Sequence, residues 1–260
     1  MHRALSVLIL LCGLAEASSA LETPQEILAC MSRNEPERST VQALALRSVD
    51  RSGSENTSRA TLYWRRQGDR SDLVLRFLEP ADLKGAALLV RERASGEEAE
   101  LYLYLPELGQ TRRVSGQASR GGLFGTNFTF EDIERLYGIA HYGELERLPD
   151  SETAGRKVYV VEGQPAPEDD SAYERVVFHV DAQTCVPLRI DLFEVGDRLR
   201  KSMLIDPEKI HVRGPLHVPG SIVLNDLRAE SSSSMTIEEI TFDASIPGEA
   251  FTPERLSGSE

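Results

Sequence analysis

The stretch "AELYLYLPEL" (99–108) decides the fold. Leu101, Leu103 and Leu105 alternate with Tyr102 and Tyr104, so one face is aliphatic and the other phenolic. A period of two marks a strand whose two faces meet different surroundings. The same period runs on both sides of it. "TVQALALRSVD" (40–50), "ATLYWRRQ" (60–67), "DLVLRFLEP" (72–80) and "AALLVRERA" (86–94) precede it. "RKVYVVEG" (156–163), "YERVVFHVD" (173–181), "VPLRIDLFE" (186–194), "RLRKSMLID" (198–206), "SIVLNDLRA" (221–229) and "SMTIEEITFD" (234–243) follow. Gly, Asp, Ser and Pro break the runs, giving about eleven strands. The connections are too short for helical crossovers, so the sheet is expected to be antiparallel. A sheet this long must curl, close or split. The expected fold is mainly β, a strongly curved antiparallel sheet or unclosed barrel with short helices at its mouth. "QPAPEDDSA" (164–172) interrupts strands of one style, so it reads as a loop within a single domain over 21–260 rather than as a linker.

The first 20 residues read as a secretory leader. His2 and Arg3 are weakly basic, "ALSVLILLCGLA" (4–15) is apolar, and Ser18 and Ala20 suit cleavage after Ala20. The protein is therefore expected to be exported. The apolar run is too short to span a bilayer. Formal net charge is -13, and the leader carries one basic and one acidic residue, Arg3 and Glu16, so cleavage leaves it unchanged. An acidic balance of this size argues against nucleic acid and against electrostatic docking on anionic lipid. Past the leader only Cys30 and Cys185 remain. In an oxidising compartment they could form a disulfide, or they could be two separate buried thiols. No CxxC or Cys/His cluster suggests a metal, and no cofactor motif is present.

Two segments look helical. In "LETPQEILACM" (21–31), Thr23 is an N-cap, Pro24 takes the first helical position and Glu26 completes a capping box. In "GGLFGTNFTFEDI" (121–133), Thr129 and Asp132 form the T-x-x-D version of that box. Phe128 and Ile133 hold the positions of a hydrophobic staple, and Gly138 suits the end of the helix. Gly121, Gly122 and Gly125 permit backbone angles closed to other residues. Two turns do not hold their shape alone, so this helix must lay an apolar face on the sheet. It reads as a lid hinged at the three glycines, or else as an ordinary core helix. A phosphate loop does not fit, since no lysine follows the glycines.

These residues carry a resemblance. "RFLEPADLKGAALL" (76–89), "LYLPELGQTRRVSG" (103–116), "GGLFGTNFTFEDI" and "PLRIDLFEVGDRLRKSM" (187–203), in that order, resemble the bacterial outer-membrane lipoprotein-sorting (LolA-like) superfamily, in its larger exported branch. The likeness extends to "IPGEAFTPERL" (246–256). Asn127 stands where the family usually has Asp, and Thr126 where it often has Ser. The resemblance implies an unclosed barrel with helices across its opening and a periplasmic carrier of acyl chains. The matching motif positions, Pro80, Gly85, Pro106, Phe124, Gly125, Phe128, Glu131 and Asp132, imply structural rather than catalytic roles.

The chemistry agrees with a binding protein. The sequence holds no G-x-S-x-G elbow and no H-E-x-x-H, and His141, His179, His211 and His217 are scattered. Without a nucleophile, base and orienting group, no enzyme is expected. Leu62 and Trp64, then Leu73, Leu75 and Phe77, then Leu101, Leu103 and Leu105 are the candidate cavity residues, with Phe124, Phe128, Phe130 and Ile133 on the lid. The alternative for each is a filled core. A chain of about 15 carbons gains on the order of 12 kcal/mol on burial, enough to extract a lipid from water and to trap it. A lid closed over the empty cavity would offset that. The expected ligands are the acyl chains of a lipid or lipoprotein. An inner-membrane exporter or outer-membrane acceptor is the expected partner of a monomer. The other reading is an envelope sensor or adaptor, or an accessory subunit of an exporter.

Overall fold

The computed structural model describes residues 21–258 except 69, 93–98, 116–119, 138–141 and 167–170. The leader and Gly138 lie outside the described residues.

The chain builds one 13-stranded antiparallel sheet that does not close, plus a small hairpin. Its first half is a meander: β1 (Ser39–Val49), β2 (Glu55–Gln67), β3 (Arg70–Glu79), β4 (Ala87–Arg91), β5 (Glu100–Leu105) and β6 (Gln110–Val114). Its second half runs β7 (Glu144–Thr153), β8 (Arg156–Gln164), β9 (Arg175–Asp181), β10 (Pro187–Glu194), β11 (Arg198–Ile205), β14 (Ser221–Asp226) and β15 (Ser231–Phe242). Between β11 and β14, β12 (Ile210–Arg213) and β13 (Leu216–Pro219) form the separate hairpin. The two halves join in the middle, where β1 pairs with β15. β6 and β7 are the free edges.

All eleven strands read from the sequence are present, and four more accompany them. The additional ones are β6, β7, β12 and β13. β6 and β7 are edges whose residues face solvent at most positions, so they lack the alternation that marks a half-buried strand. Pro149 sits in β7 at an irregularity in its pairing with β8, a placement that only an edge tolerates. β12 and β13 are four residues each, too short for periodicity to register.

The aliphatic face of β2–β5 joins one large core with the inner faces of β8–β15. Leu73, Leu75, Phe77, Leu88 and Val90 belong to it. The opposite face of the same strands carries a second, smaller cluster. Val74, Ala87 and Leu89 meet Phe251 and Leu256 there, with Tyr63, Tyr102 and Tyr104 alongside. The C-terminal segment thus covers the outer face with two single-turn 3₁₀ helices, Gly248–Phe251 and Pro253–Arg255. This is why "AALLV" reads as a continuous apolar run: β4 is buried on both sides.

Among the described residues two α-helices cover the inner face. α1 (Pro24–Ser32) carries the full Thr23–Glu26 capping box and buries Ile27 and Cys30. α2 (Phe130–Leu136) carries the Thr129–Asp132 box and buries Phe130 and Ile133.

Candidate ligand-binding site

The segment leading into α2 is fixed in place. Phe124 adopts a left-handed conformation (φ 50°), and its ring packs on Phe77 with centroids 4.3 Å apart. Gly125 is left-handed as well (φ 78°), and a Cβ on Gly122 would fall on the Thr126 carbonyl oxygen. The segment is also tied to three central strands. Ser48 Oγ of β1 donates to the Gly125 carbonyl at 2.9 Å, Asn127 N–H donates to Ser233 Oγ of β15 at 2.8 Å, and Lys201 Nζ of β11 donates to the Asn127 carbonyl at 2.8 Å.

The first turn of α2 is bolted more firmly still. Asp132 is 0 % exposed and Lys201 3 %, and Lys201 Nζ lies 2.6 Å from Asp132 Oδ2. Tyr173 O–H donates to the other carboxylate oxygen at 2.8 Å, and the Thr129 N–H donates to Oδ2 at 2.9 Å. A buried carboxylate needs this many partners, because taking it out of water is costly unless it is paired and hydrogen-bonded. Burial, with Asp132 beside it, holds the Tyr173 phenol far above its usual range.

The last turn of α2 has different surroundings. It faces a cavity of about 220 Å³. Leu28 and Met31 of α1 close one side, and Phe178, Ile190, Ile205, Ile222 and Ile237 of β9–β15 form the floor. Val218 and Pro219 of the hairpin and Trp64 of β2 complete the apolar wall. α1 is held over this space by a disulfide between Cys30 and Cys185, whose Cα atoms are 5.5 Å apart, and Cys185 itself lines the cavity. Asn34 clamps the end of α1: its amide donates to the Thr184 carbonyl at 2.7 Å and accepts from His217 N–H at 3.1 Å.

Polar groups are few in this lining and are joined to one another. Tyr137 O–H donates to Gln42 Oε1 at 3.3 Å, and Gln42 Nε2 donates to Thr40 Oγ1 at 3.2 Å. Arg135 Nη2 donates to Glu131 Oε1 at 2.6 Å, and Nη1 donates to Tyr142 O–H at 3.1 Å. Burial raises the Tyr137 and Tyr142 phenols above their usual range, so both are neutral O–H groups. Burial opposes the Arg135 charge, but Tyr142 and Glu131 outweigh it and the guanidinium stays protonated. At the mouth, Glu35 pairs with Arg66. Burial raises the Glu35 carboxyl, and Arg66 offsets that only in part.

Of the residues read as cavity or lid candidates, only Trp64 lines this cavity, and it does so as a buried side chain. Leu62, Leu73, Leu75, Phe77, Leu101, Phe128, Phe130 and Ile133 are buried together in the core, with Phe124 packed against them. Leu103 and Leu105 line a separate shallow groove at the β5–β6 edge, with Arg112 and Arg113 on its rim. Gly121, Gly122 and Gly125 stand in the bound segment before α2, where Gly122 and Gly125 have a static steric reason to be glycine. The hollow lies over the middle and second half of the sheet, from β2 and β1 across to β9, where no cavity candidate but Trp64 was placed. One signal was available: Gln42 and Thr40 sit at inward positions of β1, where a filled core would carry aliphatic residues.

This fold is shared with solved structures described as outer membrane lipoprotein-sorting and LolA superfamily proteins. A DUF1329 family protein from Desulfovibrio piger superposes with a TM-score of 0.83 at 20% identity, covering 89% of this chain and 96% of that one. A putative outer membrane lipoprotein-sorting protein domain from Vibrio parahaemolyticus gives 0.80 at 19%, covering 90% and 97%. A LolA superfamily protein from Nitrosomonas europaea gives 0.69 at 21%, covering 89% and 98%. A family model described as "Uncharacterized protein" matches residues 69–258, and the chain belongs to that family. No curated protein matches the chain. Among the described residues no helix is long and apolar enough to cross a membrane.

Proposed function

We propose that this protein is a periplasmic, non-enzymatic carrier that shelters the acyl chain of a lipid or lipoprotein between its sheet and its helices. The observation that carries the reading is the apolar cavity under α1, the last turn of α2 and the hairpin. At about 220 Å³ it is smaller than the roughly 300–1,000 Å³ of most ligand pockets. It suits part of one acyl chain at rest, and uptake of a whole chain enlarges it. Enlargement falls to the last turn of α2 and the β12–β13 hairpin. A hinge at Gly121, Gly122 and Gly125 would first have to break the bonds that tie that segment to β1, β11 and β15. The likeness in fold to a putative outer membrane lipoprotein-sorting protein domain and to a LolA superfamily protein supports the same reading. In this view the protein acts as a monomer that takes cargo from an inner-membrane exporter and passes it to an outer-membrane acceptor.

The test is uptake of an uncharged fluorescent acyl ester by delipidated protein, with mass spectrometry of lipid extracted from freshly purified protein. Saturable uptake and a copurifying acyl lipid are expected. Protein that takes up no probe and carries no lipid refutes the carrier role.

A further inference from the structure

The two free edges of the sheet are protected in different ways. β7 carries Pro149, an irregular pairing with β8 and the exposed carboxylates of Glu144, Glu146, Asp150 and Glu152. Proline, irregularity and charge are the ordinary means of keeping an edge from adding another strand. β6 has no proline and pairs with β5 in unbroken register, from Leu101 opposite Val114 to Leu105 opposite Gln110. Its charges are of one sign. From Gly109 to Phe130 the chain holds three arginines, Arg112, Arg113 and Arg120, and no carboxylate, in a protein of net charge -13. Arg112 is exposed, and among the described residues no carboxylate pairs with it. Arg113 has Glu100 at 3.8 Å, a carboxylate that Arg91 shares at 3.9 Å.

Beside this edge an apolar groove is left open. Leu103, Leu105, Leu108 and Val114 line it together with Arg112 and Arg113, and Leu108 is 48 % exposed. Among the described residues the groove shares no lining member with the cavity. The register places Gln110, Arg112 and Val114 on the face of Leu101, Leu103 and Leu105, and Thr111 and Arg113 on the face of Tyr102 and Tyr104. The far side of β6 pairs with no described strand. A free backbone edge, an aliphatic groove and an unopposed basic charge are together what an added strand uses.

We propose that β6 is a docking edge for an extended acidic segment of a partner protein, added to the sheet as a further strand. Successive carboxylates of that segment meet Arg112 on one face and Arg113 on the other, and the aliphatic side chains that flank them enter the groove. A membrane surface fits less well. It is negative over a wide area, so the net charge of -13 opposes approach, whereas a short peptide meets only the charges within about 8 Å at physiological salt. The edge is separate from the cavity, so its failure leaves the carrier reading standing and the failure of that reading leaves the edge untouched.

The probe is the fluorescent peptide Thr-Val-Glu-Glu-Glu-Val-Thr, capped at both ends and titrated against the full chain by anisotropy. Saturable binding that weakens with salt is expected, with a counterpart carrying three lysines in place of the glutamates about tenfold weaker. Arg112→Glu with Arg113→Glu should lower affinity for the acidic peptide about tenfold while thermal melting and uptake of the acyl probe stay unchanged. Two N-methylated peptides, one blocked at odd positions and one at even, test the strand itself. Only one edge of an added strand bonds to β6, so one peptide should lose binding and the other keep it. Amide exchange over residues 110–114 should slow in the complex. The proposal is overturned if the acidic peptide does not bind saturably, if charge reversal leaves its Kd unchanged, or if the two methylated peptides behave alike. Adsorption to phosphatidylglycerol vesicles that the same double variant abolishes, with no peptide binding, would overturn it in favour of a lipid surface.

Discussion

The same face of one sheet is covered in two opposite ways. Over β2–β5 the cover is the segment that enters α2, where Phe124 stacks on Phe77 and Phe128 and Phe130 are buried in the same core. Over β9–β15 the cover is α1 with the last turn of α2, and the space between is hollow. The difference lies in what faces inward. The filled side matches aromatic knobs to aliphatic strands. The hollow side carries the polar Thr40 and Gln42 in its lining, together with Leu28 and Met31 of α1. α2 spans both regimes within two turns, its start locked by Asp132 and Lys201 and its end facing the void.

Breaking the lock has the largest expected effect. Lys201→Met leaves Asp132 buried without its counter-ion and is expected to cost about 3–5 kcal/mol in urea unfolding. Adding Asp132→Leu should recover most of that loss. A loss below about 1 kcal/mol in the single variant would mean that α2 is not pinned by this pair. Next, Cys30→Ala with Cys185→Ala releases α1 across a sequence separation of 155. It is expected to cost about 2–5 kcal/mol and to raise the acyl-probe Kd, because one wall of the cavity is no longer tethered. The filled and hollow sides can be opposed directly by adding bulk to each. Leu62→Phe, in the core, should cost about 1–3 kcal/mol and leave probe affinity unchanged. Val218→Phe, on the cavity wall, should leave stability within about 1 kcal/mol and weaken the probe about tenfold. The reverse pattern would place the binding site over β2–β5.

The smallest effect is a pH dependence at the cavity mouth. The folded-state pKa of Glu35 is raised above its usual 4.5, so the folded protein binds this proton more readily than the unfolded chain. Its contribution to stability is therefore fully present below about pH 4.5 and is lost as pH rises through the folded value. The stability difference between the wild type and Glu35→Gln, followed by thermal melts from acid to neutral pH, should shift against the wild type as pH rises. A flat difference would mean that Arg66 fully compensates the burial.

The fold was legible because the signals that made it are local. Alternation, or in β4 a continuous apolar run, revealed the strands with a well-buried face, and both capping boxes stood in the sequence at their required spacing. The edges β6 and β7 escaped because exposure erases alternation. The site was far less legible, because it is made by pairs distant in the chain. Lys201 shares a strand face with Met203 and Ile205, an inward lysine that calls for a buried partner, yet nothing local says that Asp132 supplies it. Ser233 lies outside the stretch read as β15, yet it is buried and accepts the backbone of the α2 approach. The cavity itself is a shortfall of volume between α1 and strands more than a hundred residues away, and hydrophobic pattern carries no information about volume.

The pairing of β1 with β15 has a consequence for how the molecule comes into being. Each half of the sheet can zip up hairpin by hairpin as the polypeptide emerges. The seam between the halves cannot form until the final strand arrives, about two hundred residues after the first. The seam carries Thr40, Gln42 and Ile237, all on the cavity wall, so the binding pocket is the last part of the interior to be assembled. Until then β1 presents an unsatisfied strand edge to whatever surrounds the nascent chain.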